Sequence, residues 1–548
     1  MKVKPAPIAI AAVAGVLIYF SLARLATLQG RVPALVPIPA NIKKSGGSFI
    51  LGPKTRIVTD NNSMATAQFL AERLRRSTGY SFPIDVRTGI AESNGNIVFG
   101  CDATKTNLGP EGYELSATTG SVMVRAAQSA GIFYGAQSLL QLLPPAVFGV
   151  KPVSGVFWRI PCVQIEDLPR FAWRGFMLDV SRHFFTKEEI EAMLDLMALH
   201  KLNTFHWHLT DDQGWRIEIK KYPRLAQIGA WRRNIGWRLD PKSSTAYGPD
   251  GRYGGYYSQQ DVREVVAYAQ ARHITIVPEI EMPGHSTAAL SAYPDLACPV
   301  ADPSLSQRAP DVYCAGNENT FAFLQNVLAE VCDLFPGKYI HMGGDEVSKC
   351  RWRECPLCQE RIAHEHLKSV EDLQSYFVHR IAHFLQSKGH SVIGWTEITE
   401  GGLPAGATVM DWLGKAAEIV SSGHNVVQCP NTYCYFDYYQ SRERSGEPPA
   451  SGAYLPLQRV YAFDPIPENL VPQYQLNVLG PQANLWTEYI PSLKQAQYMT
   501  FPRLCALAEV GWSPPQNRHW SDFLRRLETH CLRLDQLGVN YRKLSLAQ

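Results

Sequence analysis

What most constrains this chain is a recurrence. After residue 168, short apolar stretches alternate with amphipathic ones, and eight of the apolar stretches read as strands. They are Gly175–Val180, Thr204–Leu209, Ile274–Glu279, Tyr339–Met342, Ser391–Trp395, Thr408–Trp412, Asn425–Gln428 and Asn477–Leu479. Unbroken apolar runs of this length suit strands buried on both faces of a parallel sheet. Helical patterns between them, such as Lys187–His200 and Asp261–Arg272, supply the crossovers. Eight such units predict an α/β fold, a (β/α)8 barrel over 169–548, whose active site lies where the strands' C-terminal ends meet the following loops.

Two regions precede the barrel. Residues 31–168 alternate strands (Arg56–Val58, Asn96–Gly100, Ser121–Ala126) with helices (Ala65–Ser77, Ala130–Leu143) and read as a small α/β domain without a chemical motif. Residues 1–30 begin with Lys2 and Lys4, continue as an apolar run over 6–23 and close on Arg24. This is the pattern of a signal peptide or an uncleaved signal-anchor, about 18 residues long and near the lower limit for crossing a bilayer. Both readings place the body of the protein in the periplasm or outside the cell, and the second anchors it to the membrane. The 53 Lys+Arg against 50 Asp+Glu leave a net charge of +3, which gives no basic field for a nucleic-acid partner.

The 12 cysteines fit an exported chain. Cys298/Cys314 and Cys429/Cys434 enclose short loops, and Cys350, Cys355 and Cys358 cluster. Cys355-x-x-Cys358 has neither a second C-x-x-C nor a matching His pair, so the expectation is a disulfide within the cluster and no metal.

The residues just past the strands make one coherent set. Asp179, Ser181, Arg182 and His183 follow the first strand, and His206 to Trp215 include and follow the end of the second. Glu279, Glu281 and His285 come from the third, Asp345 and Glu346 from the fourth, and Trp395 and Glu397 from the fifth. Asp411 and Trp412 belong to the sixth, Tyr433, Tyr435 and Asp437 to the seventh, and Asn484, Trp486 and Glu488 to the eighth. A single strand-end Trp is ordinary barrel packing, and a single Asp is often a helix cap. Trp repeated with Asp, Glu and Arg around a whole barrel mouth describes a carbohydrate pocket, in which indoles stack on sugar rings and the charged groups grip hydroxyls.

Asp345-Glu346 is the sharpest feature. Adjacent carboxylates after a Gly-Gly turn repel, so one should hold its proton to higher pH. A protonated carboxyl can donate to a glycosidic oxygen while its neighbour stabilises positive charge.

The segments SRHFF (181–185), KLNTFHWHLTDDQGWRIEIKKYPRL (201–225), MPGH (282–285), HMGGDEV (341–347), GW (394–395), YFD (435–437) and NLWTEY (484–489) resemble the family-20 glycoside hydrolases, the β-N-acetylhexosaminidases. The match runs in order over about 42 to 515. The resemblance implies an exo-acting, retaining enzyme that releases terminal GlcNAc, GalNAc or both. Its nucleophile is the substrate's own 2-acetamido oxygen, and it needs no cofactor. It casts Glu346 as general acid and later base, Asp345 as the group orienting the acetamido, and Tyr435 as hydroxyl donor to the acetamido oxygen. Trp395, Trp412 and Trp486 become pocket walls. Arg182, Asp437 and Glu488 bind sugar hydroxyls, and Asp211 with His285 forms a relay positioning the acid. Glu281 stands where many relatives carry Asp, a change expected to leave the chemistry alone. Tyr438 leaves no basic residue beside Asp437 for an acidic sugar, and the insert 232–255 is expected to shape the site beyond the cleaved sugar.

Two other readings remain open on the sequence. His206-x-His208 on a barrel strand is a metal-dependent amidohydrolase pattern, although that chemistry wants it on the first strand. A non-catalytic sugar-binding protein would carry the same aromatic pocket.

Overall fold

The computed structural model describes residues 32–89, 91–232 and 251–544. The hydrophobic run 6–23 therefore lies outside the described residues. Among those described, no helix is long and apolar enough to cross a membrane.

A seven-stranded mixed sheet comes first. Its spatial order is Asn41–Ile50, Arg159–Asp167, Tyr113–Ala117, Val122–Ala126, Ile97–Cys101, Ile57–Thr59, Ile84–Val86. The first four pair antiparallel and the rest parallel. Period-2 alternation sends Leu115, Val122, Val124, Ile97 and Phe99 into the core, under the helices Met64–Thr78 and Ser129–Leu142. The second helix is buried almost all round, because it lies between the sheet and the barrel. Gln141 at its end donates to the Leu199 carbonyl of a barrel helix at 3.3 Å.

The join is electrostatic as well as apolar. Asp167 Oδ2 accepts from Tyr113 Oη at 2.7 Å and from Lys201 Nζ at 2.8 Å, and Oδ1 accepts from Trp512 Nε1 at 2.9 Å. The side chains of Lys201 and Asp167 are both fully excluded from solvent.

Eight parallel strands then close a barrel: Gly175–Asp179, Thr204–His208, Thr275–Glu279, Tyr339–His341, Ser391–Trp395, Thr408–Asp411, Asn425–Gln428 and Val478–Leu485. The predicted (β/α)8 barrel is present, with each strand paired to its sequence neighbour and the last to the first. The crossover helices start where capping chemistry tells them to. Thr186 and Ser258 form capping boxes with Glu189 and Asp261, opening helices Lys187–Leu199 and Gln259–Gln270. The last strand is longer than its apolar start suggested and runs through Gly480-Pro481. Gly480 sits at φ +144°, and a Cβ there would lie 1.9 Å from the Trp173 carbonyl oxygen, so only glycine lets the entering chain pass this close.

Candidate active site

The second strand alternates, so His206 and His208 point inward while Phe205 and Trp207 pack outward. With Glu279 and His341 they build a buried polar floor. Glu279 accepts from Trp395 Nε1 at 2.7 Å and lies 2.9 Å from both His206 Nε2 and His341 Nδ1. Burial opposes its charge, but the three imidazoles around it hold the Glu279 carboxyl well below the usual range. His206 is driven by burial down to about 4. His208 is equally buried, yet Glu279 and Asp211 push it up to about 10. Neither histidine lines the cavity above, so the floor orients Trp395 and Asp211 without facing a substrate.

That cavity holds about 380 Å³ and opens at the C-terminal mouth of the barrel. Of the residues expected to form the site, Glu346, Asp345, Tyr435, Arg182, Asp437, Trp395, Trp412, Trp486, Glu488 and His285 all line it. Asp211 lies directly behind them, fully buried.

The adjacent carboxyls diverge. Gly343 and Gly344 adopt φ of +72° and +95°, and Glu346 itself sits at φ +48°. This tight reversal turns Asp345 inward and leaves Glu346 at the rim, its side chain 62% exposed against 15% for Asp345. Burial raises the Asp345 carboxyl, offset in part by His285 and Glu281. Glu346 is lowered, chiefly by its contact with His285. His285 Nε2 lies 3.6 Å from a carboxylate oxygen of each. Its Nδ1 lies 3.4 Å from Asp211 and 3.3 Å from Asp212. Burial works against its charge, but these carboxylates hold the imidazolium well above the usual range. Of the pair, Asp345 is thus shifted towards its protonated form and Glu346 towards its anion.

Glu281, expected to leave the chemistry alone, lies buried close to Asp345. It is 1% exposed, and burial together with Asp345 raises its carboxyl well above the usual range. It accepts the Gly344 N–H at 3.2 Å, and a Cβ on Gly343 would fall 2.0 Å from both of its carboxylate oxygens. The glycine pair lets the Glu281 carboxyl pack directly under the turn that carries Asp345.

The walls are aromatic. Trp395 and Trp486 pack at 5.6 Å, and Trp412 stacks on Tyr435 at 6.1 Å with planes 17° apart. The Tyr435 hydroxyl is pushed far up by burial and stays a donor. Trp412 Nε1 donates to Glu397 at 3.1 Å. Burial and Asp345 push that carboxyl up to about 7.

Opposite, Arg182 contacts Asp211 at 2.9 Å, Asp179 at 3.1 Å and Glu488 at 3.7 Å, and lies over the Trp486 ring at 5.0 Å. Asp437 and Glu488 are both raised, first by burial, and Glu488 adds repulsion at Asp437. Asp437 Oδ1 and Asp345 Oδ1 are buried at the cavity without a hydrogen-bond partner among the described residues. Acceptors left open in this way suit a ligand carrying hydroxyl and amide N–H donors.

Sequence reasoning gave no role to Glu281, Glu397, Asp212 or Gln213. Asp212 and Gln213 stood in the long motif after the second strand, and Gln213 accepts from Arg182 Nε at 2.8 Å. Tyr438 lines the cavity. Most of the insert 232–255 falls on 233–250, outside the described residues. The disulfide expected among Cys350, Cys355 and Cys358 is not formed: all twelve cysteines are free, and Cys355 and Cys358 instead meet Cys298 and Cys314.

Comparison with known proteins agrees with this geometry. The family model described as "Glycosyl hydrolase family 20, catalytic domain" matches residues 171–515, and "Glycosyl hydrolase family 20, domain 2" matches 32–168. A β-hexosaminidase of Porphyromonas gingivalis is 43% identical over 92% of this chain, which spans 64% of that relative's length. A β-N-acetylhexosaminidase of Cellulomonas fimi is 31% identical, over 93% of this chain and 95% of the relative. Among solved structures, the exo-β-N-acetylglucosaminidase of Vibrio harveyi with N-acetylglucosamine superposes with a TM-score of 0.81 at 34% identity. It covers 93% of this chain and 78% of that one.

Proposed function

The chain belongs to glycosyl hydrolase family 20, and from that premise we propose that it is an exo-acting β-N-acetylhexosaminidase. It removes terminal non-reducing GlcNAc or GalNAc from β-linked glycans or chito-oligosaccharides. The observation that carries the reading is the divergence of Asp345 and Glu346, one carboxyl at the floor beside indole walls and one at the rim.

In this family the substrate's acetamido group is the nucleophile. Trp395, Trp412 and Trp486 enclose that group. Asp345 accepts its N–H and the Tyr435 hydroxyl donates to its carbonyl, aiming the oxygen at the anomeric carbon. As the oxazolinium forms, Asp345 faces the positive charge. Glu346 gives its proton to the leaving oxygen and later takes one from the attacking water. In the free protein His285 keeps Glu346 ionised. A bound sugar strips water from Glu346 and disfavours its anion, so the carboxyl is protonated when the donor is needed. Asp211 holds His285 in place, and Arg182, Asp437 and Glu488 close around the hydroxyls of the terminal sugar, which favours exo attack.

The basic and apolar start supports export, with anchoring through residues 6–23, testable by fractionating cells that express the full chain. Retention is the direct test of the mechanism. Proton NMR of a digest should show the β-anomer of the released sugar first, and an initial α-anomer would refute participation by the acetamido group.

A further inference from the structure

We propose that Cys298, Cys314, Cys355 and Cys358 form a tetrahedral zinc site that staples together the two loops bearing the acid and its relay. The four sulfurs lie within 4.8 Å of one another. Cys314 Sγ is 3.7 Å from both Cys355 Sγ and Cys358 Sγ, and Cys298 Sγ is 3.8 Å from Cys358 Sγ. A Zn–S bond of about 2.3 Å in a regular tetrahedron places its ligands about 3.8 Å apart along every edge. Two disulfides would instead draw the sulfurs into two pairs at about 2.05 Å, and nothing here favours one partner over another. All four residues are buried, at 5% exposure or less.

The backbone is shaped for the same centre. Cys355-Pro-Leu-Cys358 enters the helix Pro356–His364 with Cys355 at its N-cap, a helix end that suits a thiolate. The other two ligands flank a loop tied by the Ala297–Tyr313 bridge and by the Cys314 N–H to the Leu296 carbonyl at 2.9 Å. Gly316 lets the two arms meet, since a Cβ there would lie 2.1 Å from the Leu357 carbonyl oxygen. Four sulfur ligands in a closed tetrahedron select zinc and leave no open position, so the ion is structural.

Its place explains its use. One arm descends from the loop that carries His285 and the other from the loop that carries Asp345 and Glu346. Glu346 holds a left-handed backbone with an exposed side chain, and a strained rim residue of this kind needs a fixed frame behind it.

The test measures metal and thiols on the full chain, so its outcome does not depend on which glycan is cleaved. Purified without chelator, the protein should carry one zinc per chain by plasma mass spectrometry. Cys314→Ser and Cys358→Ser should lose it, whereas Cys358→His, which keeps four ligands, and Cys429→Ser should both retain it. Replacement by cobalt should give the visible bands of tetrahedral thiolate coordination. Thiol titration of the denatured protein with chelator should count all twelve cysteines as thiols, the four of the cluster included. Two disulfides among them, four free thiols without metal, or iron in place of zinc would each overturn the assignment.

Discussion

Gly343→Ala probes how the Gly-Gly turn builds the active carboxyl. The added Cβ meets two obstacles. At φ +72° it occupies the left-handed region, at a cost of about 1–2 kcal/mol. It would also sit 2.0 Å from the Glu281 carboxylate oxygens. Real contacts need more than 3 Å, so Glu281 must withdraw by about 1 Å, and overpacking of this kind costs about 1–3 kcal/mol. Stability should therefore fall by about 2–5 kcal/mol. Because Glu281 packs under the turn that carries Asp345, the same shift displaces the group that orients the acetamido. A misplacement near 1 Å costs about 100-fold in turnover. Scanning calorimetry and steady-state kinetics on an aryl β-GlcNAc read both effects. The double variant Gly343→Ala/Glu281→Ala should recover the overpacking part of the stability but not the turnover. A single variant with unchanged melting temperature and kcat would refute this account of the turn.

Asp345→Asn should cut kcat on acetamido sugars by about 100- to 1000-fold, the scale of losing a preorganised charge partner; equal loss on substrates without the acetamido would count against its role. Glu397 is raised to about 7, so as pH climbs from the ordinary carboxylate value toward 7 its ionisation progressively removes stability. The melting temperature of Glu397→Gln relative to wild type should accordingly rise between pH 5 and 8, and a constant difference would show that the group titrates normally. Asp167→Ala strands the fully buried Lys201 charge, which should cost about 3–5 kcal/mol and loosen the contact between sheet and barrel, measurable by denaturant unfolding. Retained stability there would mean that Lys201 sheds its charge easily.

The barrel is legible in the sequence because its strands are buried on both faces and appear as unbroken apolar runs. The exception is instructive: Gly480-Pro481 looks like a break, yet the strand Val478–Leu485 continues through it, since glycine permits the close pass of Trp173. The strand Asn41–Ile50 escaped notice because it lies at the sheet edge, mostly exposed, and alternates nothing recognisable. Site residues were legible as motifs after strands. Glu281 stood in that set, but its contact with Gly344, 63 residues further on, did not show, because identity at one position carries no such distance. The four-cysteine cluster was hidden for the same reason: two ligands come from the loop after the third strand and two from the loop after the fourth, and no spacing rule joins them.

The substrate's acetamido group supplies the nucleophile while Glu346 supplies the proton, a division of labour open to direct test. It is tested most directly by comparing aryl β-glycosides of GlcNAc, GalNAc and glucose, for wild type beside Glu346→Gln. Hydrolysis of the acetamido sugars only, lost in the variant, is the expected result. Cleavage of the glucoside at a similar rate would contradict it.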